Sequence, residues 1–490
     1  MRRRRIEAAV LATVLIVALG RVAATFDVFS ETIDETTHVL AGYDWWRGRL
    51  TTDVEHPPLA RILLGAPSVI GGALPGSTGN WHDRGQPLLW HDGAYLRNLA
   101  LARAANLPFF ALLIATVWAW ARRTAGPLVA AIAAAMAGSI PALLGHAGLA
   151  TTDLAGTATL FFSFYVLDVW CDSRSVRRSL LLGLAIGLGV VSKFSFLMFF
   201  PLGALIVALF DRRFRPAVGA LALVAAVAVS TVLVVYRFEL APFFDGIQRV
   251  ADHGVRGHES FLLGEVRSSG WWYYFPVVLF FKTPLALLLL AAAGLLLPEV
   301  RKQGALALVL LVSVMPASIN IGVRHMLIVY PSLAIVAAAG VVVLWRHHLW
   351  GRVSAAVLLA WLVVATTVAH PDYMAYFNEA GGREPGRIVA DSNIDWGQDV
   401  LRLREAVDRH EIAALHVRAI TAVDLDRLGF PPRRGLSPVS PPAGWVAISE
   451  APFQIGRATG GFRWLEGRSY ERVGKSIRLY YIAPASGREE

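Results

Sequence analysis

Long apolar runs, broken by short turns rich in arginine, occupy most of this chain up to about residue 370. Runs of roughly 17–25 apolar residues can cross the hydrocarbon core of a bilayer as helices. The pattern predicts eleven such spans, at 6–24, 98–121, 126–145, 150–170, 179–193, 195–210, 217–236, 275–298, 303–320, 326–345 and 353–369. After His370 the apolar periodicity stops and the chain reads as soluble. There, Val400–Val407 has helical spacing, while Trp445–Ser449 and Ile477–Ile482 read as strands between Gly/Pro-rich connections. The predicted architecture is a mainly α, polytopic helix bundle over 1–370 with a small soluble α/β domain over 371–490. No internal repeat or low-complexity linker interrupts it.

Charge orients this bundle. The arginine-rich start, followed by a long apolar run over 6–24, reads as an uncleaved first helix with a cytoplasmic N-terminus rather than a signal peptide. Every second turn then contains positives: Arg122/Arg123, Arg174/Arg177/Arg178, Arg212/Arg213/Arg215, Arg301/Lys302 and Arg346/Arg352. The alternate turns contain few, chiefly Lys193 and Arg324. That is the positive-inside pattern, and it places the polar stretches on one, non-cytoplasmic face. They are a first outer loop 25–97, the turn His146–Asp153, Lys193, a second outer loop 237–274, the turn 320–325 and everything after 370. A cell-envelope enzyme in the plasma (inner) membrane, with its site on the outer face, fits such an asymmetry.

Composition narrows the reading further. The net charge of +10 resides in turns between apolar runs, so it orients helices and does not indicate nucleic acid. The single cysteine, Cys171, excludes an intrachain disulfide and a cysteine-based zinc cluster. There is no phosphate-binding loop for ATP. Asp424-Leu425-Asp426 imitates an acidic triplet but lacks suitable surroundings.

The chemistry concentrates in the first outer loop. Asp34 and Glu35 stand among Tyr43, Trp45 and Trp46, aromatics able to desolvate a carboxylate. In a helix, Asp34 and His38 share a face at i, i+4. The bland alternative for either acid is an ion pair with a neighbour such as Arg47. Glu55-His56-Pro57-Pro58 is a rigid turn whose Glu and His suit phosphate or a divalent metal. Lys193, Arg324 and His325 are the outer-face cations an anionic partner would explain, Arg as a fork and Lys as a point charge. His146, Asp153 and His258 are polar groups at outer turns, suited to substrate contact or to capping. Asp395 lies in the densest polar run, from Asp391 to Asp399, and is a substrate contact or a helix cap.

On Asp34-Glu35, Glu55-His56-Pro57-Pro58-Leu59 and Arg324-His325…Tyr330-Pro331, the chain resembles the polytopic GT-C-type glycosyltransferases that use polyprenyl-phosphate sugars. These include protein O-mannosyltransferases and the lipid A aminoarabinose transferases. The stretches from Gly270 (GWWYYFPVVLFFKTPL) and Asn393 (NIDWGQD) look like a bacterial branch. The resemblance implies Asp34 and Glu35 as catalytic, with Asp34 the base. The residues themselves point to donor-phosphate contacts from Arg324, Lys193, His325 and His56, and to substrate contacts from Glu55, His146, Asp153, His258 and Asp395. Glu55 matches a family glutamate near a metal and the lipid phosphate, whereas His56 stands where aminoarabinose transferases have lysine. A divalent metal is a candidate cofactor. The implied partners are the lipid-linked donor, membrane lipid, and a protein, lipid or polysaccharide acceptor. The implied reaction is direct displacement with inversion. A lipid-linked oligosaccharide ligase or polymerase shares this chemistry, and a transporter is disfavoured because mid-span charge is scarce.

Overall fold

An apolar segment in a bilayer must satisfy its own backbone, so the long apolar runs become helices. The computed structural model describes residues 2–211 and 218–484. Six helices are long and apolar enough to cross a membrane: Arg2–Ala23, Tyr95–Ala125, Asp153–Asp172, Val218–Val235, Val329–Arg346 and Leu349–Val368. Two bent pairs, Pro127–Ala137 with Pro141–Ala147 and Tyr274–Lys282 with Leu285–Gly294, make eight if each is one crossing. Their bends of 60° and 108° fall beside Pro141 and Pro284, which cannot continue a helical ladder.

The expected count of eleven exceeds what helix length supports. The spans drawn at 179–193, 195–210 and 303–320 are occupied by Val176–Val190, Phe196–Leu209 and Arg301–Val314, of 15, 14 and 14 residues. At 1.5 Å per residue these reach about 21–23 Å, short of a hydrocarbon core of about 30 Å. Apolar composition alone could not reveal where each helix stops. The first residue of the expected span 217–236 and the turn arginines Arg212, Arg213 and Arg215 lie outside the described residues.

Burial separates central helices from peripheral ones. The most apolar windows of Asp153–Asp172 and Val329–Arg346 are 78% and 72% buried, whereas those of Arg2–Ala23 and Val218–Val235 are 11% and 6% buried. The outer helices therefore present apolar side chains outward, as lipid-facing helices do. Helix Asp153–Asp172 is the axis of the bundle and spans about 30 Å. At one end Asp168 binds Arg123 and Lys302, and at the other Asp153 binds Lys193.

The stretch 25–97, expected as the first outer loop, is itself helical. Glu35–Trp46 packs across Pro58–Ile70, followed by Trp81–Leu89 with a reciprocal Asn80/Asp83 cap. The first two helices touch at Gly42 and Gly65. A Cβ on Gly42 would collide with the Arg61 carbonyl, and one on Gly65 with the Tyr43 amide. Absence of side chains here sets the close crossing. The second outer loop forms an amphipathic helix, Ala241–Arg256, and a hairpin of β1 (Ser260–Leu262) with β2 (Glu265–Arg267).

Beyond the last long helix, five strands form one mixed sheet: β3 (Leu415–Arg418), β4 (Arg433–Gly435), β5 (Gly444–Ser449), β6 (Glu471–Val473) and β7 (Ile477–Ile482). Their order is β4-β3-β5-β7-β6, with β3 parallel to β4 and β5, and β7 antiparallel to β5 and β6. Alternation along β5 sends Ala447 to a core shared with helix Val400–Arg409, and Val446 and Ile448 to a core shared with Glu450–Ala458.

The segment joining bundle and sheet is woven into both. Lys282, fully buried, donates to the carbonyls of Met374 (2.7 Å) and Asn393. Asn393 accepts from the Val323 amide (3.0 Å), and Ser30 donates to the carbonyls of Gly397 and Gln398 (both 2.9 Å). Asp395 accepts from the Ala451 amide at 3.2 Å, at the first turn of helix Glu450–Ala458. Burial pushes the Asp395 carboxyl up to about 7, despite hydrogen bonds from Ser449, Ala451 and Gly397 that favour its charge.

That shift carries a sign. Between 3.8 and about 7 the unfolded chain ionises this group while the folded chain keeps it protonated, so stability falls across that window and the full loss holds above it. Thermal unfolding of wild type and Asp395→Asn should diverge between pH 4 and 7, with the variant relatively more stable at the upper end. Parallel profiles would contradict a neutral, buried Asp395.

Candidate active site

Asp34 precedes helix Glu35–Trp46, yet its side chain does not cap that helix. It accepts instead from Arg324 at 2.8 Å. Arg324 sits in the single turn Val323–Met326, which the Val323–Asn393 hydrogen bond fastens. Its guanidinium lies 4.4 Å from the centre of the Trp396 ring. Burial works against its charge, but Asp34, Asp153 and Asp391 outweigh that and raise its proton affinity. One of its donors, Nε, is buried without a partner among the described residues. Asp34 is about a third exposed (30% for its side chain), and its Oδ1 meets no donor among the described residues.

Asp153 completes the arrangement from the axial helix. Its position at the helix N-terminus favours a negative charge. Lys193 pairs with it, and His146 Nδ1 stands 3.9 Å away. His146 is 1% exposed, and neither ring nitrogen has a partner. Burial, then the charges of Lys193 and Arg324, push His325 well below its usual range, so this imidazole is neutral. Asp153, Lys193, Arg324 and His325 line a pocket together with the apolar Leu160, Phe196, Phe199 and Ile328.

Five expected site residues sit elsewhere or act differently. Glu35 is 0% exposed and accepts from Arg103 twice (2.9 Å each), from the Thr32 amide (2.8 Å) and from the Ala150 amide (2.7 Å). These partners enclose it completely, so the expectation of a catalytic Glu35 gives way to a positioning role. His56 turns Nδ1 to Asp53 Oδ2 at 3.0 Å rather than joining Arg324. Glu55 faces His253 at 3.3 Å, and the His253 ring lies 5.9 Å from that of His258. Asp395 serves the sheet domain, as described above, and not the pocket; its neighbour Trp396 is the residue that reaches Arg324.

The sequence by itself assigned Asp391 and Asp53 no role of their own. Asp391 faces Arg324 and His258, with its carboxyl raised chiefly by burial. Its φ of 60° lies in the left-handed region that side chains rarely adopt. No linear pattern marks it among the other acids of that run. His38, Asp53 and His56 form a cluster whose ligand-type atoms lie within 4.8 Å of one another. Burial, then the neighbouring His56, lowers His38 to about 3. Burial opposes ionisation of Asp53, but His56, Arg61 and His38 hold it well below the usual carboxylate range.

The Glu35 assignment has a direct test. Glu35→Gln leaves Arg103 buried without its counter-charge, which costs about 3–5 kcal/mol. A fall in the detergent-solubilised melting temperature is expected, together with loss of activity that tracks the fraction unfolded. A variant that melts like wild type but is inactive would restore a direct catalytic role.

Residues 100–236 match the family model of dolichyl-phosphate-mannose-protein mannosyltransferases. That range includes Asp153 and Lys193 but neither Asp34 nor Arg324. Among curated proteins none matches the chain. Similar solved structures include ArnT from Cupriavidus metallidurans bound to undecaprenyl phosphate, at 14% identity over 97% of each chain with a TM-score of 0.49. The Archaeoglobus fulgidus oligosaccharyltransferase tethered with an acceptor peptide is 12% identical over 74% of this chain and 54% of that one, with a TM-score of 0.45. The S. cerevisiae Pmt1-Pmt2 protein O-mannosyltransferase complex bound to its sugar donor is 17% identical over 52% and 34%, with a TM-score of 0.34. Over residues 100–236 the chain is thus similar to the dolichyl-phosphate-mannose-protein mannosyltransferases, a family of membrane glycosyltransferases.

Proposed function

We propose that this enzyme moves a sugar from a polyprenyl-phosphate carrier to an acceptor hydroxyl, with inversion, using Asp34 as general base. The carrying observation is Arg324, which bonds Asp34 on one side, lines the pocket on the other and keeps a buried, unpartnered Nε–H. A phosphate oxygen would satisfy that donor. The matched family, described by a dolichyl-phosphate-mannose donor, supports the same class of substrate.

In this reading the acceptor hydroxyl gives its proton to the open Oδ1 of Asp34 as its oxygen attacks the anomeric carbon. The bond from that carbon to the phosphate oxygen breaks, and the electron pair leaves with the phosphate. Arg324 and Lys193 stabilise the growing charge, and neutral His325 supplies a hydrogen bond. A single displacement inverts the anomeric centre. His56 is dropped from the phosphate contacts because Asp53 holds it. Asp153 keeps Lys193 beside Arg324, while His146 and Asp391 serve as polar contacts for the sugar or acceptor.

The turn arginines favour a cytoplasmic N-terminus, with the sheet domain and Asp34 on the opposite face. An inner-membrane location belongs to the same reading. The acceptor is a protein, lipid or polysaccharide hydroxyl.

The test uses purified protein in detergent with labelled polyprenyl-phosphate sugars and membrane extract. Asp34→Asn should fold normally and lose about 100-fold or more of its transfer activity. Arg324→Ala should weaken donor binding more than Arg324→Lys. Full transfer by Asp34→Asn, or donor binding indifferent to Arg324→Ala, would overturn the assignment.

A further inference from the structure

One helical turn from Asp34, a second polar cluster remains without a part in this chemistry. His38, on the same helix, and His56, beyond the 52–56 turn, both direct Nδ1 at one oxygen of Asp53. The separations are 3.9 and 3.0 Å. The two rings meet edge to face with centres 4.8 Å apart. His38 is 2% exposed, and its Nδ1 has no hydrogen-bond partner. An unsatisfied polar atom in such a place costs about 1–3 kcal/mol.

We propose that His38, Asp53 and His56 bind a divalent transition-metal ion of the zinc type. Two imidazoles and a carboxylate are ligands for Zn2+ and its neighbours, whereas Mg2+ and Ca2+ take oxygen ligands. A metal accounts for both rings sharing one carboxylate oxygen and gives the orphaned Nδ1 of His38 a partner, which hydrogen bonding within the cluster does not. Three protein ligands leave a fourth position for water or a substrate oxygen, reached from the His56 side, where the side chain is 32% exposed.

The surroundings hold these ligands in place. Arg61, almost wholly buried, donates to the carbonyls of Thr52, Asp53 and His56, gathering the turn around one guanidinium. Asp53 is kept at φ 49°, and Pro57 and Pro58 fix the exit of the chain. Arg61 approaches Asp53 Oδ2 only to 3.7 Å, so that oxygen is not taken by a guanidinium hydrogen bond. The ion would pin the loop bearing Glu55 to the helix that begins beside Asp34. The site is separate from the Glu55–His253 pair, which shares no residue with it.

The test needs no transfer assay. Full-length protein in detergent is stripped with a chelator and titrated with Zn2+ against a chromophoric competitor, and Co2+ absorption reports the coordination. Wild type should bind one Zn2+ per chain with no competition from Mg2+. His38→Gln, Asp53→Asn and His56→Gln should each weaken binding about tenfold or more, whereas His253→Gln should leave the affinity unchanged. Monodisperse elution and a cooperative melt qualify each variant; should His38→Gln fail to fold, the partly exposed His56 decides. No Zn2+ binding by wild type, or loss in His253→Gln with retention in His56→Gln, overturns the proposal.

Discussion

Arg103 is the residue around which the outer end of the bundle is assembled. All five of its N–H donors are used: three on the carbonyls of Phe26, Phe29 and Ser30, and two on Glu35. Glu35 in turn holds the Ala150 amide at the turn before the axial helix. One ion pair, wholly out of water, thus joins the end of the first span, the start of the first loop helix, the third chain segment and the 150 turn. A charge buried in this way is tolerable only if every lone pair and proton is matched. That requirement makes the junction rigid, and it delivers Asp34, the residue next to Glu35, to Arg324.

The pocket built on this junction is balanced between signs. Asp34, Asp153 and Asp391 surround Arg324, and Lys193 shares Asp153. Such a network holds two cations side by side, yet among the described residues leaves the Arg324 Nε and both His146 nitrogens unmatched. The low local dielectric strengthens each of these interactions relative to water.

The segment from 371 to 399 links chemistry to architecture. It supplies Trp396 beneath the Arg324 guanidinium and Asn393 to the turn that presents it, while Asp395 and Asp399 anchor the sheet domain behind. Lys282, at the bend of a broken apolar helix pair, binds carbonyls at both ends of this segment. This segment therefore touches the site through Trp396 and Asn393. Movement of the sheet would be felt at Arg324.

Much of this follows from linear pattern. Apolar runs located the long helices, and β5 and β7 fall on Trp445–Ser449 and Ile477–Ile482, because side-chain period and turn residues are local properties. Asp34, Arg324, Lys193 and Asp153 could be singled out because charge at the edge of a span is costly enough to need a reason. Helix length was less readable: a bend at Pro284 or the end of a 14-residue helix depends on what packs beside it. What the sequence alone determined is the membrane-spanning character, the polar segments that could meet and the type of chemistry they carry. Only the tertiary structure decided that Glu35 faces Arg103 while Asp34 faces Arg324, and that His56 joins His38 and Asp53. Adjacent residues on a helix point about 100° apart, and which of two neighbouring acids meets solvent is settled by partners far away in the chain.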